Sequence, residues 1–146
     1  MIVEFDGDYA FLSNFYPSPI SHDGITYPTN EHFFQAMKTL DIDTRKAIAA
    51  APTPGAAKRM GRHVPLRPDW EKIKVDVMRL GLILKFTDAE LAEKLIATGD
   101  EELVEGNWWH DNTWGNCHCT ECSRKGGRNL LGMLLMEVRK ELQYQN

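Results

Sequence analysis

Two stretches of this chain carry side chains whose types and spacing suit chemistry. The first is Thr29-Asn30-Glu31-His32-Phe33-Phe34-Gln35-Ala36-Met37-Lys38. On a helix with Phe33 and Met37 turned to the core, Glu31, Gln35 and Lys38 share another face at i, i+4 and i+7. Glu31 falls in the first turn, where unpaired backbone N–H groups favour a carboxylate. Such a carboxylate could activate water or face a developing cation. Spacing alone favours a plainer alternative, in which Glu31 is a solvated first-turn acid and Gln35 and Lys38 are surface groups.

The second stretch is Asp111-Asn112-Thr113-Trp114-Gly115, preceded by Asn107-Trp108-Trp109-His110. Indoles give flat apolar walls that stack on bases while keeping an N–H donor. A carboxylate among them suits acid/base work or a grip on sugar hydroxyls. The alternative is a buried tryptophan cluster closing one end of the core, with Asp111 in an Asx-turn. The residues leave both open. Trp70, the fourth tryptophan, reads by itself as core.

Cations occur at Lys58, Arg59 and Arg62, and again at Arg124, Lys125 and Arg128. The second group borders Gly126-Gly127 ahead of a helix, which is a reasonable phosphate cradle. It fits neither the P-loop nor the dinucleotide fingerprint, so solvated charge is the plainer reading. Cys117-His118-Cys119-Thr120-Glu121-Cys122 holds ligand-type residues, and thiolates suit zinc. A zinc site wants four ligands, and the fourth would have to come from His118, His110 or elsewhere. Three reduced loop cysteines are the favoured reading, so no metal ligand and no cofactor are assigned.

These groups need elements to hold them. Ile2–Phe5 reads as a short strand, and 20–27 as a hairpin turning on Asp23-Gly24. A helix opens at Thr29 or Asn30 with Phe33, Ala36, Met37 and Leu40 on its apolar face. A second runs from an Asp43 cap to Ala51, and Pro54 opens a short third. Asp69 caps a longer helix with Ile73, Val77, Leu80 and Leu84 on one stripe, which Gly81 weakens slightly. Thr87-x-x-Glu90 is a capping box, and Gly99 a stop. Glu102–Gly106 reads as a strand, and 107–128 as irregular. Asn129 caps a last helix with Leu131, Leu134, Leu135, Val138 and Leu142 on its stripe. The expected fold class is α+β, predominantly helical, with a small antiparallel β element near the N-terminus.

A length of 146 residues predicts a single domain over 1–146. With 42% hydrophobic and 26% charged residues, the chain is ordinarily globular. That composition excludes a disordered tail protein, a collagen-like fibre and a disulfide-stapled miniprotein. Seventeen Lys+Arg against 21 Asp+Glu give a net charge of −4, which argues against a broad basic face. The three clustered cysteines suit a reducing compartment, and MIVEFDGDYAF lacks the basic and apolar regions of a signal peptide. The longest apolar stretches, Leu80–Leu84 and Leu130–Met136, are far short of the ~20 residues that span a bilayer. A cytoplasmic protein with no membrane contact and no obligate protein partner is expected.

A set of ordered blocks resembles the NADAR family, the YbiA-like proteins. They are Phe11-Leu12-Ser13-Asn14-Phe15-Tyr16-Pro17, Tyr27–Lys38, Ala57-Lys58-Arg59-Met60-Gly61-Arg62, Trp70 with Met78, and Lys85-Phe86. Leu95–Gly99, Leu103-Val104-Glu105, Asp111–Gly115 and Gly127–Gly132 leading to Leu135–Arg139 follow. The resemblance implies N-glycosidase chemistry on a base-like amine joined to a phosphorylated ribose. One branch of the family acts on phosphoribosylamino-pyrimidine intermediates of riboflavin synthesis. Another removes ADP-ribose from guanine in nucleic acid. The family's catalytic glutamate falls on Glu31, its pocket tryptophan on Trp70 and its second acid on Asp111. Asn14, Phe15, Lys38 and Lys58 are implied to bind substrate, as are Arg62, Trp114, Gly115 and Asn129. Arg128 is a further candidate for a phosphate. The cysteine-rich insert departs from simpler members.

The expected partner is therefore a ribosylated or ADP-ribosylated substrate, modified DNA or RNA included. Bond cleavage builds positive charge on the sugar, which Glu31 would face while Asp111 orients ribose hydroxyls. A non-catalytic ADP-ribose or nucleotide reader is the alternative, although two positioned acids favour turnover. A metal-bound nucleic-acid module on Cys117–Cys122 is a third reading, and the net charge counts against it.

Overall fold

The computed structural model describes residues 1–145. Helices make up about half of the chain, and the fold class is α+β as expected. The chain forms two compact units, Asn14–Lys85 and Met1–Ser13 with Phe86–Asn146.

In the unit Asn14–Lys85, β1 (Ile20–His22) and β2 (Ile25–Tyr27) pair antiparallel with Ile20 opposite Tyr27. Asp23 (φ 51°) and Gly24 (φ 77°) supply the two positive φ angles of the turn. Four helices follow: α1 (Asn30–Ala36), α2 (Ile42–Ala49), α3 (Pro54–Gly61) and α4 (Trp70–Lys85). Thr29 caps α1 through the His32 N–H, and Thr53 caps α3 through the Ala56 N–H. Phe33 is fully buried and meets the Tyr27 ring edge-on at 5.6 Å.

Three expectations shift here. Leu40 lies beyond the end of α1 and is 61% exposed, so it leaves the apolar face. α2 is capped by Asp41, which accepts from the Thr44 N–H at 3.0 Å, and Asp43 sits inside the first turn. On α4 the buried residues are Trp70, Met78, Gly81, Leu82 and Lys85, while Leu80 is exposed. The helix is rotated because its inner face must admit α1. A Cβ at Gly81 would overlap Asn30 Oδ1 and meet the Phe33 ring at 3.0 Å.

In the other unit, a 3-10 helix (Gly7–Leu12) precedes α5 (Ala89–Ala97), β3 (Gly106–Asn107), β4 (Asn116–Cys117), α6 (Thr120–Lys125) and α7 (Leu130–Gln145). The N-terminal strand is reduced to one bridge between Ile2 and Leu103. Of the expected 102–106 strand only Gly106 is in β3, which adds Asn107 and pairs parallel with β4. α5 is capped by Asp88 rather than by the Thr87 box, its carboxylate accepting from the Leu91 N–H. Gly99 stops it at φ 67°. The segment expected to be irregular holds both β4 and α6. No helix among the described residues is long and apolar enough to cross a membrane.

Gly81 gives a test in which two effects oppose. Alanine raises helix propensity by up to about 1 kcal/mol. Overpacking at a buried contact costs about 1–3 kcal/mol. Gly81→Ala should lower stability in urea unfolding, and a gain would show that α1 and α4 pack less closely than described.

Candidate active site

All seven residues of α1 are buried, including Asn30, Glu31, His32 and Gln35. Glu31 is 7% exposed, which corrects the solvated-acid expectation. Its Oε1 accepts from Gln35 Nε2 at 3.0 Å, one turn along the same face. Its backbone N–H donates to the Asn14 carbonyl at 3.1 Å. Gln35 is thus a buried positioning group rather than a surface amide. It reaches Glu31 because α3 passes with a glycine: a Cβ at Gly61 would overlap Gln35 Oε1.

The neighbours of Glu31 are held by polar contacts. Asn30 Nδ2 donates to Asn14 Oδ1 at 2.8 Å, and both amides approach Met78 Sδ at 3.5 Å. His32 is a satisfied core histidine, with Nδ1 at 2.8 Å from Thr29 Oγ1 and Nε2 at 3.0 Å from the Ala51 carbonyl. Two acceptors are left over: Asn30 Oδ1 and Gln35 Oε1 are buried without a hydrogen-bond partner among the described residues. Each lies against a helix glycine, Asn30 Oδ1 at Gly81 and Gln35 Oε1 at Gly61, where a Cβ would overlap it.

Cations border this carboxylate. Lys38 is half-buried, and desolvation lowers its pKa. Arg62 and Lys58 lower it further by repulsion, while Glu31 opposes them. Lys38 is therefore the cation on which Glu31, Arg62 and Lys58 all act. The Lys38 carbonyl accepts from the Arg67 N–H at 2.8 Å, tying it to the entry of α4. Trp70 opens α4, is 4% exposed, and meets Phe34 at 5.1 Å between ring centroids. Phe15 is largely exposed, and Asn14 works through the contacts above.

Sequence reasoning missed Lys85, because lysines are almost never fully buried. It is 2% exposed, and burial pushes its pKa down to about 7. Its Nζ stands 5.8 Å from the centroid of the Tyr16 ring. The signal was its place seven residues after Met78, on the same side of a helix.

The remaining expected residues lie in the other unit. Asp111 Oδ1 accepts from the Thr113 and Trp114 N–H groups at 3.0 and 2.9 Å, so the Asx-turn is what forms. Trp108 and Trp109 are exposed, at 64% and 58%, which removes the buried tryptophan cluster. Trp114 is half-buried. Gly115 is buried where a Cβ would overlap Glu105.

Asn129 (φ 48°) is no side-chain cap. Its amide donates to the Leu103 carbonyl at 2.9 Å and accepts from the Glu105 N–H at 3.0 Å. The start of α7 is closed by backbone instead. The N–H groups of Arg128, Asn129, Leu130 and Leu131 donate to the carbonyls of Asn112, Gly115, Thr113 and Trp114. These four donors are therefore engaged by the protein's own backbone.

Lys85 makes stability depend on pH in a defined direction. Its pKa is about 7 folded and about 10.5 unfolded, so the unfolded chain binds more protons between those values. The associated stability is present above about pH 10.5 and is lost as pH falls through about 7. Lys85→Met should therefore gain on the parent as pH drops, by about 2–3 kcal/mol between pH 9.5 and 6.5. Urea unfolding at the two pH values measures it, and an unchanged difference would refute the buried-amine assignment.

Comparison with known proteins agrees with this architecture. The NADAR domain family matches residues 4–143, across both units. N-glycosidase YbiA of Escherichia coli (strain K12) is 45% identical over 138 residues, covering 92% of this chain and 82% of that protein. Riboflavin biosynthesis protein VVA0006 of Vibrio vulnificus is 39% identical over 145 residues, covering 94% of this chain and 37% of that protein. The NMR structure of E. coli YbiA superposes with a TM-score of 0.83 at 42% identity, covering 99% of this chain and 86% of that one. On the family match, on these identities and on the shared fold, the chain belongs to the NADAR domain family.

Proposed function

We propose that this chain hydrolyses the N-glycosidic bond between a base or amine and a phosphorylated ribose. The coarse activity, hydrolysis of an N-glycosyl bond, is that of relatives named N-glycosidase. The finer reading has two branches. One substrate class is ADP-ribose attached to guanine in nucleic acid. The other is phosphoribosylamino-pyrimidine, in keeping with relatives named as riboflavin biosynthesis proteins.

One observation carries the proposal: a buried carboxylate, Glu31, is held by Gln35 beside Lys38, whose ammonium also feels Arg62 and Lys58. Cleavage leaves the bonding pair on the departing nitrogen and positive charge on the sugar ring. An acceptor-only carboxylate, steered by Gln35, answers that charge or takes the proton of the attacking water. The cations suit a phosphate, which needs charge-assisted donors and no broad basic face. That reconciles a net charge of −4 with a nucleotide substrate. Trp70 supplies an aromatic wall braced by Phe34. No step requires a metal.

Product analysis by mass spectrometry tests this directly. ADP-ribosylated guanine oligonucleotides and phosphoribosylamino-pyrimidines would be offered to the enzyme and to Glu31→Gln. The variant should stay folded and lose turnover by at least about a thousandfold. Full turnover by Glu31→Gln would sink the assignment, and tight ADP-ribose binding without product would favour a reader.

Asp111 has a separate test. Its turn survives in Asp111→Asn, because an amide oxygen accepts the same two N–H bonds. A fall in kcat with unchanged stability would report the charge, and unchanged kcat would leave Asp111 with the turn alone.

A further inference from the structure

We propose that His110, Cys117, Cys119 and Cys122 form a four-ligand zinc site that closes the loop between β3 and α7. The four candidate ligand atoms all lie within 4.8 Å of one another. His110 Nδ1 is 3.3 Å from Cys122 Sγ, 3.5 Å from Cys119 Sγ and 3.9 Å from Cys117 Sγ. A tetrahedral zinc with bonds of about 2.0 Å to nitrogen and 2.3 Å to sulfur sets N···S edges of about 3.5 Å. The three N···S separations therefore already match those of a first coordination shell. All three cysteines are free thiols.

Sequence spacing left the fourth ligand open between His110 and His118, and the structure chooses. His118 faces away, its ring 5.7 Å from that of Trp108 and its Nε2 against Gly106. His110 is turned inward by a positive φ of 69°, uncommon for a residue with a side chain. The surroundings brace the sulfurs. Cys119 Sγ accepts from the Cys122 N–H at 3.4 Å. Asn112 Oδ1 accepts from the Cys117 N–H at 2.8 Å, and Asn112 Nδ2 donates to the Cys122 carbonyl at 3.0 Å.

A second observation points the same way. α6 buries none of its six residues, so hydrophobic packing does not hold it. Two of the four ligands bracket its start, and a bound ion would anchor it. Four protein ligands leave no open position, so the role is structural rather than catalytic. Zinc(II) would displace a proton from each thiol to solvent, and neutral His110 would bind through Nδ1. Three thiolates on a dipositive ion leave the site with one negative charge. No electron is transferred. What the ion would hold is the segment whose carbonyls close the start of α7.

Elemental analysis and cobalt substitution test the site on the whole chain. Protein expressed with zinc and purified without chelator should carry about one zinc per chain. Cobalt(II) exchanged into it should give the intense visible bands and thiolate charge transfer of a tetrahedral sulfur-rich site. His118→Ala should keep the metal. His110→Ala and Cys119→Ser should each lower zinc affinity at least tenfold in a chelator competition. Substoichiometric zinc, with thiols equally reactive before and after chelator, would overturn the proposal. So would an octahedral cobalt spectrum, a Cys119–Cys122 disulfide in the zinc-grown protein, or metal lost with His118 and retained without His110. The cobalt spectrum is read on the unsubstituted chain, so a variant that fails to fold leaves the proposal open to refutation.

Discussion

The organising constraint is the burial of a polar helix. α1 places an amide, a carboxylate, an imidazole and a second amide inside the protein within six residues. Each unmet polar group there costs about 1–3 kcal/mol, and the surroundings answer all but the Asn30 and Gln35 oxygens. Thr29 and the Ala51 carbonyl take both nitrogens of His32. Asn14 takes the Asn30 amide and the Glu31 N–H. Gln35 takes the carboxylate. Glycines on α3 and α4 stand where any side chain would strike the Gln35 and Asn30 oxygens. The rotation of α4, the close passage of α3 and the path of the chain at Asn14 follow from that one demand.

The second unit meets its demands with backbone. The first turn of a helix has N–H groups that need acceptors, usually a side chain and water. At α7, the N–H groups of Leu130 and Leu131 and of the two residues before them find four carbonyls from 112–115. That arrangement frees Asn129 to bind Leu103 and Glu105, and it obliges Asn129 to take a left-handed conformation. Asp111 folds the same loop from inside, through its turn onto Thr113 and Trp114.

Local signals were legible, and tertiary ones were not. The Asp23-Gly24 hairpin, Thr29 as a cap and Gly99 as a stop depend on φ angles and caps that neighbours do not alter. The ordered blocks also pointed to the family, which the identities bear out. What failed was the rank of adjacent options. Asp41 replaced Asp43 and Asp88 replaced Thr87, because either residue could supply the same acceptor and helix phase decided. The buried stripe of α4 was misread because the packed face carries Gly81 and Lys85, which no hydrophobic pattern selects. Glu31 and Gln35 looked exposed for the same reason: polarity is a sound guide to the surface except where a site is built. His110 joined the sulfurs only through a chain reversal that spacing does not encode.

Amides in a helix's first turn normally exchange their hydrogens with water soonest, since nothing inside the helix shields them. At α7 they are held by carbonyls of a loop instead. Their exchange can therefore proceed only as that loop lifts away. The start of α7 and the 112–115 segment become one opening unit, with a shared lifetime rather than two separate ones. Sequence change in the loop would then be felt along the last helix of the chain, even where no side chain of that helix is touched.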